Sequence, residues 1–251
     1  APTGAGKSMA LVHLGAQAVK LGKTVIHYSL EMSDTVIGTR YDSCITGVKL
    51  SDTFKFKEQI YENIKDIDGN VIIKEYPTKS ATTATIKNHL ERIRSRGISI
   101  DMIIVDYADL LRPVTTKRTS EKRHDLESIY EELRGIAQVF ECPIWTASQT
   151  NRSGLNAEVI DLSSISEAYN KCFVADFIFT ISRTREQKAM NKGNMYVAKN
   201  RNGPDGILFP IKMDTSNVKI KVMPLGIVGS STAPTVKTQK ESLLSKRNRL
   251  M

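Results

Sequence analysis

The chain has 251 residues, 40% of them hydrophobic, and a formal net charge of +9 at pH 7, which allow one sizeable domain and favour a polyanionic partner such as nucleic acid. Its three cysteines form no C-x-x-C pair, which argues against a zinc site or a disulfide framework and indicates a reducing compartment. Because neither a long apolar run nor a signal-peptide pattern is present, we expect a soluble, cytoplasmic protein without a membrane partner.

Residues 1–8, Ala-Pro-Thr-Gly-Ala-Gly-Lys-Ser, fit the phosphate-loop pattern G-x-x-x-x-G-K-[ST] except at the first position. Glycines let the backbone turn N–H groups inward, and a helix beginning near Lys7 would direct its positive dipole end at a phosphate. We expect Lys7 to contact the β- and γ-phosphates of ATP and the Ser8 hydroxyl to bind Mg²⁺. The alternative is a chance glycine-rich turn. The predicted nucleotide-binding residues of this loop are Thr3, Gly4, Ala5, Gly6, Lys7 and Ser8.

Helix and strand patterns alternate after this loop. Helices are predicted over residues 9–21, 34–46, 52–67, 82–96 and 125–140, and strands over 24–30, 71–76, 102–105 and 143–148. This alternation predicts an α/β fold with a mainly parallel, twisted sheet flanked by helices. Further strands are predicted over residues 177–182, 195–199, 207–213 and 218–222, the last three successive and antiparallel.

Three expectations concern the extent of the domain and the ends of the sequence. A phosphate loop normally follows a buried strand, so we expect a strand before residue 1 that this sequence does not include. We expect the folded domain to span residues 1–228. Residues 229–251 are rich in Ser, Thr, Lys and Arg, which predicts a basic, disordered tail.

Polar residues at the ends of predicted strands are candidates for catalysis, because ligands of α/β sheets bind there. Asp106 ends an apolar strand in the Walker B form and is expected to reach Mg²⁺ through water; the alternative is a capping aspartate. Glu31 is the candidate catalytic base, although it could instead stabilise a helix N-terminus. Gln149 could contact the γ-phosphate or be an ordinary loop residue. Asp109 could belong to the site or to the surface.

Five segments in series resemble the RecA-type motor domain of the DnaB family of hexameric replicative helicases, including phage members. They are Gly-Lys-Ser at 6–8, Tyr-Ser-Leu-Glu-Met at 28–32, Ile-Val-Asp-Tyr at 104–107, Ser-Gln-Thr-Asn-Arg at 148–152 and Ala-Lys-Asn-Arg-Asn-Gly-Pro-Asp-Gly at 198–206. The resemblance implies a RecA-like P-loop NTPase that uses ATP and Mg²⁺, with Glu31 as base and Gln149 as γ-phosphate sensor.

The resemblance also implies that Lys199 and Arg201 act on the nucleotide of a neighbouring subunit. A guanidinium beside a tight Asn-Gly-Pro turn suits this role, since it can stabilise charge on a transferring phosphoryl group. The alternative is that both are exposed charges on an edge strand, which prevent aggregation.

Two loops, which in this family face single-stranded DNA, follow the strands that end at Asp106 and Gln149. The first carries a run of basic residues suited to phosphate contacts, or simply to a solvated loop. The predicted DNA-binding residues there are Arg112, Lys117, Arg118, Lys122 and Arg123. The second loop departs from the bacterial pattern after Asp161-Leu162, and contacts are expected from backbone N–H groups or Lys171.

The leading hypothesis is a homo-oligomeric, hexameric ring that hydrolyses ATP between subunits, translocates 5′ to 3′ on single-stranded DNA and unwinds duplex, in a bacterial or phage-infected cell. Primase and a helicase loader are the expected partners by resemblance. One alternative is a RecA/RadA-like recombinase or loader ATPase that forms open filaments. Another is a non-hydrolysing nucleic-acid-binding fragment whose basic tail binds polyanions.

Overall fold

The structure, a computed structural model, describes residues 4–114, 122–150, 159–160, 162 and 170–224. These residues form two four-stranded sheets with helices packed against them. No helix within these ranges is long and apolar enough to cross a membrane.

The first sheet is parallel throughout. Its strands are β1 (Thr24–Ser29), β2 (Asn70–Glu75), β3 (Met102–Asp106) and β4 (Ile144–Thr146), in the order β2-β1-β3-β4. The helices around it are α1 (Lys7–Lys20), α2 (Asp34–Thr46), α3 (Lys57–Ile64), α4 (Thr83–Ser95) and α5 (Lys122–Phe140). The central strands are buried almost throughout, as expected for a parallel sheet covered on both faces. The predicted α/β class is confirmed.

The second sheet is antiparallel. It contains β5 (Phe177–Ser182), β6 (Lys192–Asn200), β7 (Ile207–Asp214) and β8 (Lys219–Val222), in chain order, with the short helices α6 (Asn170–Val174) and α7 (Arg185–Ala189). The antiparallel strands are as predicted, and β5 also belongs to them. A cavity of about 180 Å³ lies between β4 and β5, lined in part by Trp145, Phe177 and Phe179.

Helix α1 connects the two sheets through its packing. Its residues Leu11 and Val19 share an apolar cluster with Val25 of β1 and Ile104 of β3. Its residue Val12 belongs to another cluster, with side chains of α2, β5 and β7. Because α1 is held from both sides, its N-terminus and the phosphate loop before it have a defined position.

Several element boundaries differ from the sequence prediction. The polar region predicted as one helix over 52–67 is a 3₁₀ turn at Leu50–Asp52 followed by the shorter α3. Helix α5 begins at Lys122 rather than at 125, because its first turn needs no apolar residues. Lys122 and Arg123 therefore belong to a helix and not to the loop predicted before it. Strand β4 ends at Thr146, so that Gln149 lies beyond the strand.

Candidate nucleotide-binding site

The phosphate loop has the backbone geometry that its glycines predict. Gly4 and Gly6 have φ angles of 70° and 101°, in the left-handed region that side chains with a Cβ rarely adopt. Gly6 is the N-cap of α1, and its carbonyl oxygen accepts the N–H of Ala10 at 2.9 Å. The N–H groups in the first turn of an α-helix have no acceptor within the helix, so this end of α1 suits an anion. Thr3 lies outside the described residues.

A cleft of about 330 Å³ opens beside this loop. It collects predicted residues from three separate segments, the phosphate loop, the end of β1 and the end of β4. Its lining includes Gly4, Gly6, Lys7, Ser8, Glu31, Arg40, Leu50, Gln149, Thr215 and Val218. The cleft therefore brings the candidate base Glu31 and the candidate sensor Gln149 to the phosphate loop.

Asp106 lies at the end of β3, next to β1. The N–H of Leu30 donates to the Asp106 carbonyl oxygen at 2.9 Å, so Glu31 follows directly beside Asp106. The Asp106 side chain is 0% exposed, and neither carboxylate oxygen has a hydrogen-bond partner within the described part of the chain. A buried carboxylate without a partner is costly, which makes it a suitable ligand for a cation.

Burial and the neighbouring charges shift the pKa of Asp106 in opposite directions. Burial raises the pKa of its carboxyl above the ordinary value. The charges of Arg40 and Lys7 oppose this rise in the pKa, and so does the Ser8 hydroxyl. That hydroxyl lies nearby, but it does not complete a hydrogen bond of ordinary geometry. Burial likewise lowers the pKa of the Lys7 ammonium, and the acids Glu31, Asp106 and Asp109 oppose that shift. The ammonium of the phosphate-loop lysine is thus attracted by the acids at and after the ends of β1 and β3.

Side-chain hydrogen bonds join the segments that follow β3 and β4. Gln149 donates from Nε2 to the hydroxyl oxygen of Tyr107 at 3.0 Å, and Ser148 donates to Asp109 Oδ2 at 3.2 Å. The two segments meet because β3 and β4 are adjacent parallel strands, whose carboxyl ends lie at the same edge.

Lys171 does not lie on a surface that DNA could reach. Its side chain is 2% exposed, and its Nζ lies 3.0 Å from Asp109 Oδ2. Asp109 also accepts the hydroxyl of the partly buried Tyr130 at 2.7 Å. The predicted DNA contact of Lys171 is therefore wrong, because this ammonium is buried in an ion pair inside the domain.

Lys199 and Arg201 lie at the end of β6, away from the cleft lining of their own chain. Lys199 donates from Nζ to the carbonyl oxygens of Cys172 and Phe173 at 2.7 and 3.1 Å. Arg201 donates to Asp176 Oδ1 at 2.8 Å and to the Phe173 carbonyl oxygen at 2.9 Å. Since β6 lies between β5 and β7, the alternative of edge-strand charges is wrong.

The comparisons with known proteins show the family and the fold of the chain. A family model, the DnaB-like helicase C terminal domain, matches residues 1–216. The chain belongs to this family. One solved structure, described as an ATPase domain, superimposes with a TM-score of 0.74 at 16% identity, over 87% of this chain and 81% of that one. A DnaB-like replicative helicase, whose structure is described together with its interactions with primase, gives the same TM-score and identity over 87% and 56%. These likenesses confirm the predicted fold.

Curated relatives are longer than this chain. The DnaB-like replicative helicase of Enterobacteria phage T4 is 29% identical over 209 residues, which cover 79% of this chain and 44% of that protein. The replicative DNA helicase DnaB of Helicobacter pylori is 24% identical over 153 residues, covering 59% and 31%. The chain thus spans less than half the length of these relatives.

The structure describes only some of the predicted DNA-binding residues of this DnaB-like domain. Arg112 is exposed at the end of the segment after β3. Lys122 and Arg123 lie in the first turn of α5. Lys117 and Arg118 lie outside the described residues. DNA contact by these residues stays a prediction.

Arg40 is a cleft residue that the sequence analysis missed. It lies on α2 and lines the cleft with Lys7 and Glu31, and its positive charge opposes the rise that burial causes in the pKa of Asp106. Within the described ranges its guanidinium has no hydrogen bond or ion pair. A signal was present, since Arg40 falls in the helical stripe of the buried residues Ile37 and Tyr41. An arginine on the inner stripe of a helix indicates a buried anion or a ligand.

Proposed function

We propose that this chain is the motor of a DnaB-type replicative DNA helicase, an enzyme that hydrolyses ATP to translocate on single-stranded DNA and unwind duplex. From the likeness to this family, we also propose that the enzyme moves 5′ to 3′ along the strand and that it works in the cytoplasm of a bacterial or phage-infected cell. The observation that carries it is the cleft, which joins the phosphate loop, Glu31 and Gln149 near the Asp106 carboxylate, whose oxygens accept no hydrogen bond from the residues that the structure describes.

The residues present fit ATP with Mg²⁺. The N-terminus of α1 and the Lys7 ammonium bind the phosphates. Ser8 and Asp106 hold the ion, since their oxygens are ligands that Mg²⁺ prefers and the Asp106 carboxylate lacks any other partner in the described part of the chain. The ion supplies electrostatic stabilisation of the phosphate charge.

Three side chains of the cleft serve hydrolysis. Glu31 is exposed to the cleft and accepts a proton from the attacking water. Gln149, held by Tyr107, contacts the γ-phosphate. Arg40 adds a positive charge from the same chain, which stabilises the negative charge on the phosphates.

The site is completed by a second copy of the chain. Lys199 and Arg201 do not line the cleft of their own chain, and 45% of the Arg201 side chain is exposed. We assign them to the nucleotide of the neighbouring subunit, in a homo-oligomeric, hexameric ring. Arg112 and the basic residues toward α5 track the DNA strand, and primase and a loader are the proposed protein partners.

ATP hydrolysis per subunit, measured over a range of protein concentrations with and without single-stranded DNA, tests this proposal. We expect hydrolysis that rises steeply with concentration, is stimulated by DNA, and falls at least about a hundredfold in Arg201→Ala. Arg183→Ala is the matched control, because Arg183 also donates to a backbone carbonyl of the second sheet, that of Lys192, but lies outside the cleft. Hydrolysis unaffected by concentration, DNA and Arg201 would exclude the shared site, and absent hydrolysis would favour the nucleic-acid-binding fragment.

A further inference from the structure

We propose that Lys171 is a positioning residue: its buried ion pair with Asp109 ties α6, and through it Lys199 and Arg201, to the nucleotide cleft of the same subunit. Each subunit would then carry a link from its own ATP to the residues that act on its neighbour's ATP. The inference rests on the proposed function, because it assumes that Lys199 and Arg201 act across the subunit boundary.

The first part of the link joins the cleft to Asp109. Gln149 lines the cleft and bonds Tyr107, the residue after Asp106. Ser148, the residue before Gln149, donates to Asp109 Oδ2. A displacement of Gln149 toward a γ-phosphate therefore acts on Asp109 through its neighbour Ser148 and through the Tyr107 segment.

The second part is the buried ion pair. Asp109 accepts from Tyr130 at 2.7 Å, from Lys171 at 3.0 Å and from Ser148 at 3.2 Å. Three donors on one carboxylate satisfy it well, and Lys171 is almost completely buried. Separating the pair would leave a buried charge without compensation, so Asp109 and Lys171 move together.

The third part joins Lys171 to Lys199 and Arg201, which we assign to the nucleotide of the neighbouring subunit. Lys171 lies in α6, and the carbonyl oxygens of the next three residues, Cys172, Phe173 and Val174, all accept from cationic side chains. These donors are Lys199, Arg201 and Arg134 of α5. Cations bind favourably to the free carbonyls at a helix C-terminus. The position of α6 therefore sets the position of Lys199 and Arg201.

Asp176 strengthens this end of the link. Its carboxylate accepts from Arg201 at 2.8 Å and from Arg134 at 3.0 Å, and its carbonyl oxygen accepts the Arg201 N–H at 2.9 Å. Arg201 is thus held by both the backbone and the side chain of the segment that follows α6. A shift of α6 must either carry Arg201 with it or break several charge-assisted bonds.

The experiment compares the double variant Asp109→Asn/Lys171→Gln, which removes both charges together, with Arg201→Ala and with the triple variant. We expect unchanged affinity for a fluorescent ATP analogue and a kcat lowered about tenfold in the double variant. Arg201→Ala should lower kcat strongly in the wild-type background and by a much smaller factor in the double variant, because the link has already been lost. A double-mutant cycle of this kind separates positioning from a purely structural role.

One control and one further test variant accompany the cycle. Lys23→Gln/Asp101→Asn removes an exposed ion pair of 3.2 Å elsewhere in the domain and should leave kcat unchanged. Ser148→Ala leaves the ion pair intact, so it remains usable if the double variant does not fold, and it should lower kcat at constant ATP affinity. A wild-type kcat in Ser148→Ala, or in a folded double variant, overturns the inference.

The outcomes also separate this inference from the proposed function. If Arg201→Ala lowers kcat by the same factor in the wild type and in the double variant, the link is overturned while the shared site stands. No loss from Arg201→Ala in the wild-type background overturns both.

Discussion

Gln149 and Tyr107 share a hydrogen bond of 3.0 Å, in which the amide of the candidate γ-phosphate sensor donates to the hydroxyl of the residue after Asp106. The bond joins the ends of two adjacent parallel strands, β3 and β4, beside the cleft. It restricts the orientation of the Gln149 side chain before ATP binds, so that only a small displacement is needed to reach the γ-phosphate, which favours catalysis.

Removal of the Tyr107 hydroxyl tests this arrangement. In Tyr107→Phe we expect kcat to fall about fivefold, the equivalent of one ordinary hydrogen bond, with little change in KM. Steady-state hydrolysis at saturating DNA measures both constants. Tyr61→Phe is the matched control, since Tyr61 is an exposed tyrosine on α3. A rise in KM without a change in kcat would show that Tyr107 contributes to binding instead.

Much of the cleft is predictable from sequence because its residues end strands or open a helix. Asp106 ends β3 and Gln149 lies just beyond β4, and because these strands are neighbours, sheet topology alone places both residues at the same edge of the sheet. The role of Arg40 is harder to predict. The sequence shows that Arg40 lies on the inner stripe of α2, but it does not show that this stripe borders the cleft. The strand expected before residue 1 and the tail over 229–251 stay predictions.

Lys171 shows where such reasoning fails. In sequence it is a lysine in a polar stretch, for which an exposed, DNA-facing position is the natural expectation. Its burial depends on Asp109, which lies 62 residues away and is itself held by Tyr130. Local composition contains no information on such a pairing, since it arises only when α5, α6 and the segment after β3 pack together.

The buried carboxylate of Asp106 predicts an unusual dependence of stability on pH. Burial raises its folded-state pKa above the ordinary value of 3.8, so the folded protein favours the protonated form. Its stabilising contribution is present at low pH and is lost as the pH rises through the folded-state pKa. Without Mg²⁺ and nucleotide, Asp106→Asn should therefore be more stable than the wild type at pH 7, by about 1–3 kcal/mol, and this gain should shrink toward pH 4.

Urea unfolding in EDTA between pH 4 and pH 7 measures this difference. Asp101→Asn is the matched control, for which we expect the opposite change in stability with pH. The Thr24 N–H lowers the pKa of Asp101 and stabilises its charged form. That variant should lose stability relative to the wild type as the pH rises. A destabilised Asp106→Asn at pH 7 would show that the carboxylate has a protein partner after all.

Arg40 should contribute to phosphate binding from within its own subunit. In Arg40→Ala we expect kcat/KM for ATP to fall about tenfold or more, the effect of losing one charge-assisted hydrogen bond, and Arg40→Lys to restore part of it. Equilibrium binding of ADP and ATP separates a γ-phosphate contact, which would affect ATP alone, from a general charge effect. Arg92→Ala is the control, since Arg92 is exposed on α4. Unchanged affinity and turnover would leave Arg40 with no role in the cleft.

Arg112 is the exposed basic residue through which the DNA prediction can be tested directly. A side chain that neutralises one phosphate of a single strand releases about 0.7 counterions, so its loss should reduce the slope of log K against log[salt] by that amount per subunit. We expect Arg112→Ala to weaken binding of oligo(dT) and of mixed-sequence single strands equally, because phosphate contacts carry no sequence information. Lys212→Ala removes an exposed charge from β7 and should leave the slope unchanged. Equal slopes for wild type and Arg112→Ala would remove this residue from the DNA path, even if the affinity itself had changed.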